Sequence, residues 1–283
     1  MSIERQSVRK LSVIKVKERR MHYVERGKGQ PVVFVHGDLG DYRSWRFQID
    51  AVAQRYRVIS YSRRYAYPNE WIGDGMDNTI SDNADDLAVL INKLELTPVH
   101  LVGHSYGAFT AVFLAFHHPE IVRSLVLGEP PVLSLLMKNP EDVRLVEELR
   151  KRVFRPTEEA FSRGEPKKAM RIFVDGVIGI DGVFDKLPAL ERSIITDNMK
   201  SLRGELERGL VPFTCEDAQR ISAPTLLLKG ELSPKLLHRI IDILAECMPN
   251  NEQTTIPGVS HDLGRMMKPV FNEKILEFLS KHS

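Results

Sequence analysis

A short stretch in the middle of the chain joins a strand to a helix through a serine. Residues 99–102 have the character of a buried strand, the sequence Gly-His-Ser-Tyr-Gly follows, and residues 108–111 continue as a helix. Gly103 and Gly107 lie two residues on either side of Ser105, where a side chain would collide as strand and helix cross. The pattern predicts a sharp turn that exposes the Ser105 hydroxyl. A serine that merely caps the helix fits the same five residues.

In that position Ser105 is a candidate nucleophile. A serine hydroxyl is a weak nucleophile unless a neighbouring base accepts its proton. The helix that follows begins with unpaired backbone N–H groups and a partial positive charge, and both favour an oxyanion beside Ser105. We therefore expect a base from another part of the chain to lie against this serine.

Strand and helix patterns alternate along the chain. The sequence predicts an opening hairpin over residues 11–25 and further strands over 31–35, 56–60, 99–102, 121–127, 223–229 and 253–256. Helices are predicted over 45–54, 78–94, 235–248 and from the last strand to about 279. Such alternation predicts a mostly parallel sheet with helices on both faces.

The part of the chain after the strand at 121–127 has a different character. Residues 132–214 hold charged helical segments and no buried strand; the helices are predicted over 141–153, 157–163, 167–177 and 187–208. We interpret 132–214 as a helical cap inserted into a core formed by 1–131 and 215–283.

Charge and hydropathy limit the partners of the chain. The 283 residues include 40 Lys and Arg against 38 Asp and Glu, a formal net charge of +2, and no long basic run. A nucleic-acid partner is therefore not expected. The N-terminus has no apolar signal segment, and no apolar run reaches membrane-spanning length, which predicts a cytoplasmic protein without membrane insertion.

Two cysteines occur in the sequence, Cys215 and Cys247. They are far apart and belong to no Cys-x-x-Cys or Cys/His cluster, so we expect two thiols rather than a disulfide or a metal pair. No metal site is predicted.

Several markers in a fixed order resemble the α/β-hydrolase superfamily over nearly the whole chain. They are His36-Gly37 after an early strand, Trp45 soon after it, the turn at Ser105, the helical insertion, and a late Pro-Gly-Val-Ser-His that ends at His261. The resemblance implies the α/β-hydrolase fold, a mostly parallel central sheet flanked by helices, with an inserted helical cap. It also implies a reaction that needs no cofactor.

The resemblance assigns the base to His261, which follows the last predicted strand. His104 adjoins Ser105 on the turn, so we expect its side chain to point away from the hydroxyl and to pack. His36 is expected to support the loop that carries the oxyanion donors. The other six histidines have no chemical neighbour in the sequence pattern and are expected to be structural or solvated.

The acid departs from the common pattern of the superfamily. That pattern has an aspartate three residues after Gly230, where this chain has Ser233. The alternative is a carboxylate after the strand that follows the serine turn, and Glu129 lies there. Haloalkane dehalogenases and zearalenone-type lactonases include members that resemble this arrangement. Glu231 is the alternative acid, although a solvated loop carboxylate explains it as well, and Glu129 itself could be a structural acid that pairs with a cap arginine.

The expected chemistry is ester or lactone hydrolysis through an acyl-enzyme. Glu129 would orient His261, and His261 would deprotonate Ser105. Backbone N–H groups of Tyr106 and Asp38 would hold the oxyanion. Carbon–carbon bond hydrolysis, acyl transfer and cofactor-free perhydrolysis use the same framework and stay open, as does a ligand receptor without turnover. A small-molecule ester or lactone is the expected partner, and a homodimer is left open.

A serine in place of an aspartate at the turn argues against dehalogenase and epoxide hydrolase chemistry, because their ester intermediate needs a carboxylate nucleophile. The polar, aromatic loop over residues 62–71 follows an inner strand, at the sheet edge where ligands bind. It is equally compatible with substrate contact and with a packed surface loop.

Overall fold

The sheet organises the molecule. The computed structural model describes residues 10–206, 209–263 and 268–283, without the side chains of 203–206. In this part of the chain eight strands form one sheet: β1 (Ser12–Val16), β2 (Arg19–Arg26), β3 (Pro31–Val35), β4 (Arg57–Tyr61), β5 (Val99–His104), β6 (Val122–Gly128), β7 (Thr225–Gly230) and β8 (Asn251–Ile256).

The strand order is β1-β2-β4-β3-β5-β6-β7-β8. Strand β2 runs antiparallel to both of its neighbours, and all pairs from β4 to β8 are parallel. The prediction of a mostly parallel sheet is confirmed. Parallel strands are buried on both faces, which explains why β3 and β7 are apolar without interruption over most of their length.

Helices cover both faces of the sheet. The first set, which packs on one face, is α2 (Ile80–Lys93), α3 (Tyr106–His117) and α11 (Lys235–Cys247), and the second set is α1 (Ile49–Val52) and α12 (Lys268–Lys281). The alternation within β3 shows the division: Val33 and Val35 join the first core, and Val32 and Phe34 join the second. This is the three-layer architecture that the sequence predicts.

Six helices lie between β6 and the last segment of the core. They are α4 (Pro140–Leu149), α5 (Arg155–Ser162), α6 (Pro166–Ile178), α7 (Val183–Lys186), α8 (Ala189–Asp197) and α9 (Met199–Leu206). The count covers the described residues, and we call these six the inserted helices. They form a small apolar core of their own, which Leu39 of the main body joins.

The predicted helix over residues 45–54 is wrong in its extent. The chain instead forms a 3₁₀ turn at Tyr42–Trp45 and then the four-residue helix α1. The side chains of Asp41 and Ser44 cap the turn reciprocally. The turn carries Trp45 into the core beside Phe34, 4.8 Å between ring centres, so packing outweighs the helical pattern.

The expectation of two free thiols is also wrong. Cys215 and Cys247 form a disulfide, with their Cα atoms 5.3 Å apart. Cys215 begins α10 (Cys215–Gln219), Cys247 ends α11, and these two helices pack together. Spacing along the chain does not reveal such proximity. Stable disulfides are typical of oxidising compartments, so the bond weighs against the cytoplasmic location, which stays a prediction.

None of the helices among the described residues combines the length and the apolar character that crossing a membrane requires.

Candidate active site

Ser105 lies on a strained turn between β5 and α3. Its backbone has φ 53° and ψ −128°, in the left-handed half of conformational space that favours glycine. A Cβ at Gly107 would come within 2.2 Å of the Val35 carbonyl oxygen, and one at Gly103 within 2.6 Å of the Ala108 Cα. Both glycines are therefore required by the close approach of β5, α3 and β3.

Three side chains from separate loops meet at the carboxyl edge of the sheet. The His261 Nε2 atom lies 3.0 Å from the Ser105 hydroxyl, and its Nδ1 atom lies 2.6 Å from Glu129 Oε2. An ionised carboxylate can only accept, so Nδ1 carries the ring proton. The lone pair of Nε2 then faces Ser105, which is the tautomer that a general base needs.

Glu129 is fully buried behind this histidine. Burial raises the pKa of its carboxyl, but the hydrogen bond and charge of His261, together with the effects of Ser233 and the Gly230 N–H, outweigh burial and hold the pKa below its ordinary value. The second carboxylate oxygen accepts the Gly230 N–H at 2.8 Å. Glu129 also adopts a positive φ of 47°. The carboxylate therefore stays ionised and in a fixed position beside the imidazole.

Glu231, the alternative acid, lies elsewhere. It is exposed, and its carboxylate accepts the N–H of Gly258 at 2.8 Å. Ser233, which occupies the position of the common aspartate, is buried close to Glu129. The structure thus brings Glu129 to His261 and leaves Glu231 in a solvent-exposed loop contact.

A buried arginine, Arg63, holds the loop after β3. Arg63 donates from Nε to the His36 carbonyl oxygen at 3.1 Å and from Nη2 to the Gly37 carbonyl oxygen at 3.3 Å. Its guanidinium also stacks 4.5 Å from the centre of the Tyr106 ring. Asp38 and Tyr106, the two expected oxyanion donors, line the same cavity as Ser105. Arg63 therefore fixes the backbone just before Asp38 and contacts Tyr106 through its ring.

His36 is kept uncharged in this loop. Burial, together with the charge of Arg63, lowers its pKa well below the ordinary value, against the effect of its bond to Gly37. The Nε2 atom accepts the Arg63 backbone N–H at 2.9 Å, so Nδ1 carries the proton and donates to the Gly37 carbonyl oxygen at 2.8 Å. The expectation that His36 supports the loop agrees with these contacts.

His104 has a more specific contact than packing. Its Nε2 atom donates to the backbone carbonyl oxygen of His261 at 2.6 Å, and the two rings lie 4.7 Å apart. Ligand atoms of His104, His261 and Glu129 lie within 4.8 Å of one another, a spacing that could hold a metal ion. Such an ion would displace the hydrogen bonds that orient His261, and the absence of a metal stays an expectation.

A cavity of about 730 Å³ opens above Ser105 and His261. Its walls come from the loop after β3, from α3, from the inserted helices and from the segment 209–212, and they are mostly apolar. Representative lining residues are Leu39, Phe109, Leu133, Phe173, Ile178 and Leu237. A largely apolar pocket with a few convergent polar groups is typical of a small-molecule site.

Polar bonds join the inserted helices to the main body beside the cavity. Asp197, at the end of α8, accepts from Arg43 at 2.8 Å, and Glu191 of the same helix pairs with Arg46. Asn198 donates to the Asp41 carboxylate at 2.7 Å. These bonds fix α8 against the loop that precedes α1.

The loop over residues 62–71 is packed in its first half, over 62–66, whereas Tyr67 and Glu70 in its second half are exposed. Arg64 is buried and donates to Asp86 at 2.7 Å, and the part of the cavity lining that is described includes no residue of this loop. Sequence reasoning missed Arg63 and His104 as supports of the site. The signal for both was position, since His104 adjoins Ser105 at the end of β5 and Arg63 follows the end of β4 at the same carboxyl edge of the sheet.

Comparison with known proteins gives a consistent family. A family model described as the alpha/beta hydrolase fold matches residues 30–263. The non-heme chloroperoxidase CPO-A1 of Kitasatospora aureofaciens is 29% identical over 282 residues, which cover 92% of this chain and 95% of that protein.

Solved structures agree on the fold. The enol-lactonase of Burkholderia xenovorans has a TM-score of 0.78 at 17% identity, over 95% of this chain and 100% of its own. A thermophilic esterase from Thermogutta terrifontis has a TM-score of 0.73 at 22% identity, over 97% of this chain and 100% of its own. At these identities the likeness shows the fold alone.

Proposed function

The chain belongs to the alpha/beta hydrolase fold family, and from that premise we propose that it is a cofactor-independent serine hydrolase that cleaves a carboxylic ester or a lactone. One observation carries the proposal: the Ser105 hydroxyl lies 3.0 Å from the His261 Nε2 atom, while the Nδ1 atom is bound to a buried carboxylate. This arrangement activates a serine for attack on a carbonyl carbon.

In the proposed reaction the Ser105 oxygen attacks the substrate carbonyl, and His261 takes the hydroxyl proton. Backbone N–H groups of Tyr106 and Asp38 stabilise the oxyanion that forms. His261 then gives its proton to the departing alcohol oxygen as the ester bond breaks. In a lactone that oxygen stays attached to the acyl group. A water molecule, deprotonated by the same histidine, releases the acid and restores the serine.

Glu129 stabilises the imidazolium that exists between these proton transfers. Its lowered pKa keeps the carboxylate charged at neutral pH, and the bond to Gly230 holds it in place. We place the acid at Glu129 rather than at Glu231, since the Glu231 carboxylate is bonded to Gly258.

The test is covalent labelling with a fluorophosphonate, followed by hydrolysis of a panel of esters and lactones of graded size. We expect rapid labelling of the wild-type protein, no labelling of Ser105→Ala, and turnover of at least one ester or lactone. A wild-type protein that labels no faster than Ser105→Ala would instead be a ligand receptor with this fold.

A second candidate follows from the 29% identity to the chloroperoxidase. In perhydrolysis, hydrogen peroxide replaces water in the second step, so the acyl-enzyme yields a peroxycarboxylic acid and free Ser105. Addition of hydrogen peroxide to the ester assay, with iodide oxidation as the readout, distinguishes this from simple hydrolysis. Peracid formation that requires Ser105 would favour it.

A further inference from the structure

Two opposite charges meet on the wall of the cavity. Arg46 lines it from the segment before α1, Glu191 lines it from α8, and their side chains form an ion pair. The exposed fractions of these side chains are 14% and 9%, so water screens the pair only weakly. A substrate near this wall therefore meets a neutral pair rather than a cation.

The charged groups closer to Ser105 include the carboxylates of Asp38, Asp262 and Glu129. Asp38 lies 3.5 Å from Arg63, and Glu129 is bonded to His261. His36 is uncharged, as its lowered pKa requires. The described lining also includes charged side chains from α4, α5 and the segment between them. These are exposed to solvent: Glu147, Arg150 and Glu158.

An anionic substrate would lose hydration in this cavity without gaining a buried, unmatched cation among the described lining residues, where Arg150 is exposed to solvent. Moving a carboxylate out of water costs far more than moving an ester or an amide, unless an opposite charge is available. The only strong candidate for that role on the described apolar wall is Arg46, and Glu191 already neutralises it.

We propose that the cavity selects substrates that are neutral and apolar beyond the scissile carbonyl, and that Glu191 sets this selectivity by cancelling the charge of Arg46. The inference rests on the proposed ester or lactone hydrolysis. It separates this site from one that binds a dicarboxylic acid derivative, whose second carboxylate needs an unmatched cation.

Arg46 would keep its position without Glu191. Its guanidinium stacks 4.2 Å from the centre of the Phe47 ring, and its Nη1 atom donates to the Arg43 carbonyl oxygen at 3.2 Å. Glu191→Gln therefore leaves a cation on the cavity wall. The variant should bind a substrate carboxylate that the wild-type protein rejects.

The experiment compares kcat/KM for two esters that differ by one charge, para-nitrophenyl methyl adipate and the mono-para-nitrophenyl ester of adipic acid. We expect the wild-type protein to prefer the neutral ester by at least about tenfold, and Glu191→Gln to reduce that preference by about tenfold. The double variant Arg46→Gln/Glu191→Gln should return to the wild-type ratio.

Asp197→Asn is the matched control. It removes the same charge from the same helix and breaks a more exposed pair with Arg43, which keeps its pair with Asp41, and Asp197 is not among the residues that line the cavity. Its ratio should equal that of the wild-type protein. A wild-type preference for the anionic ester, or an equal shift in Glu191→Gln and Asp197→Asn, overturns the inference.

Two further measurements test the inference if Glu191→Gln does not fold or if neither ester is hydrolysed. If Glu191→Gln does not fold, Arg46→Gln must raise the preference for the neutral ester, because Glu191 is then an unmatched anion. If neither ester is hydrolysed, the proposed function is still decided by the graded panel of esters and lactones, and the charge selectivity needs a separate binding measurement. Calorimetry with a methyl ketone that ends in a carboxylate, and with its terminal amide, then decides the charge selectivity, and equal affinities refute it.

Discussion

The two edges of the central sheet both bury histidines, yet in different surroundings. At the carboxyl edge, His261 and His104 lie beside Ser105 and face a cavity of about 730 Å³. At the amino edge, His100 of β5 is bonded to Ser124 at 2.7 Å and to Gln30 at 3.1 Å, and it is fully buried. The same residue type can take part in chemistry only where the fold gives it access to a ligand.

The difference extends to protonation. Burial, with smaller effects of Arg123 and His282, lowers the pKa of His100 to about 4. At the carboxyl edge a carboxylate accompanies the histidine, and it is Glu129 whose pKa is lowered. We therefore expect changes at the carboxyl edge to alter turnover and changes at the amino edge to alter stability.

The largest effect is expected from the nucleophile and the base. Ser105→Ala and His261→Ala should each reduce kcat/KM by at least about a thousandfold, because neither residue can act without the other. The double variant should be no slower than the worse of the two single variants. Steady-state rates on the best ester of the panel test this, and near-normal turnover in either variant would contradict the assigned roles.

Glu129→Gln should come next, with a loss of at least about a hundredfold. The amide cannot stabilise the imidazolium, whereas Glu231→Gln, its matched control, should keep nearly full activity. In the Glu129→Gln background, Ser233→Asp should restore part of the rate, since Ser233 lies close to Glu129. The assignment of the acid fails if Glu231→Gln is the crippling change.

A smaller loss of activity is expected when His104 is replaced, because its Nε2 atom donates to the backbone carbonyl oxygen of His261. His104→Leu should lower kcat roughly tenfold with little change in KM, because the base loses its alignment rather than the site its shape. His104→Gln keeps an N–H donor and should recover much of that loss. If the two variants are equally slow, the hydrogen bond to the His261 carbonyl oxygen is not what matters.

The amino edge should show its effect in stability alone. The folded protein keeps His100 neutral down to about pH 4, while an unfolded histidine takes up a proton below about pH 6.5. Stability is therefore full above that pH and falls on acidification, by about 3 kcal/mol at pH 4 from this residue. In urea unfolding, His100→Gln should show a shallower decline, with unchanged turnover at neutral pH. An identical pH slope would refute this source of acid sensitivity.

Most of the fold could be predicted because it depends on local pattern. The apolar runs at β3 and β7 and the glycines around Ser105 indicate buried parallel strands and a tight turn without any knowledge of distant contacts. Ser105, Glu129 and His261 each follow a strand, and parallel strands place their ends at one edge. The structure brings these three side chains together there, and their catalytic roles remain a proposal.

What could not be predicted depends on contacts between distant segments. The pairing of Cys215 with Cys247 follows from how α10 packs on α11, which no local pattern encodes. The shortened helix at Ile49–Val52 follows from the burial of Trp45. The ion pair of Arg46 with Glu191 joins residues 145 positions apart. Charge and helical periodicity show only that such side chains exist, not which partners they find.

The backbone conformation of Ser105 serves the proposed reaction but lowers the free energy of unfolding. A non-glycine residue in such a conformation costs about 1 to 3 kcal/mol, more than the roughly 1 kcal/mol that glycine costs through the entropy of the unfolded chain. Random drift without a demand for turnover would therefore favour glycine at this position. Ser105→Gly should therefore give an inactive and more stable protein. Such a variant suits structure determination of a complex with uncleaved substrate.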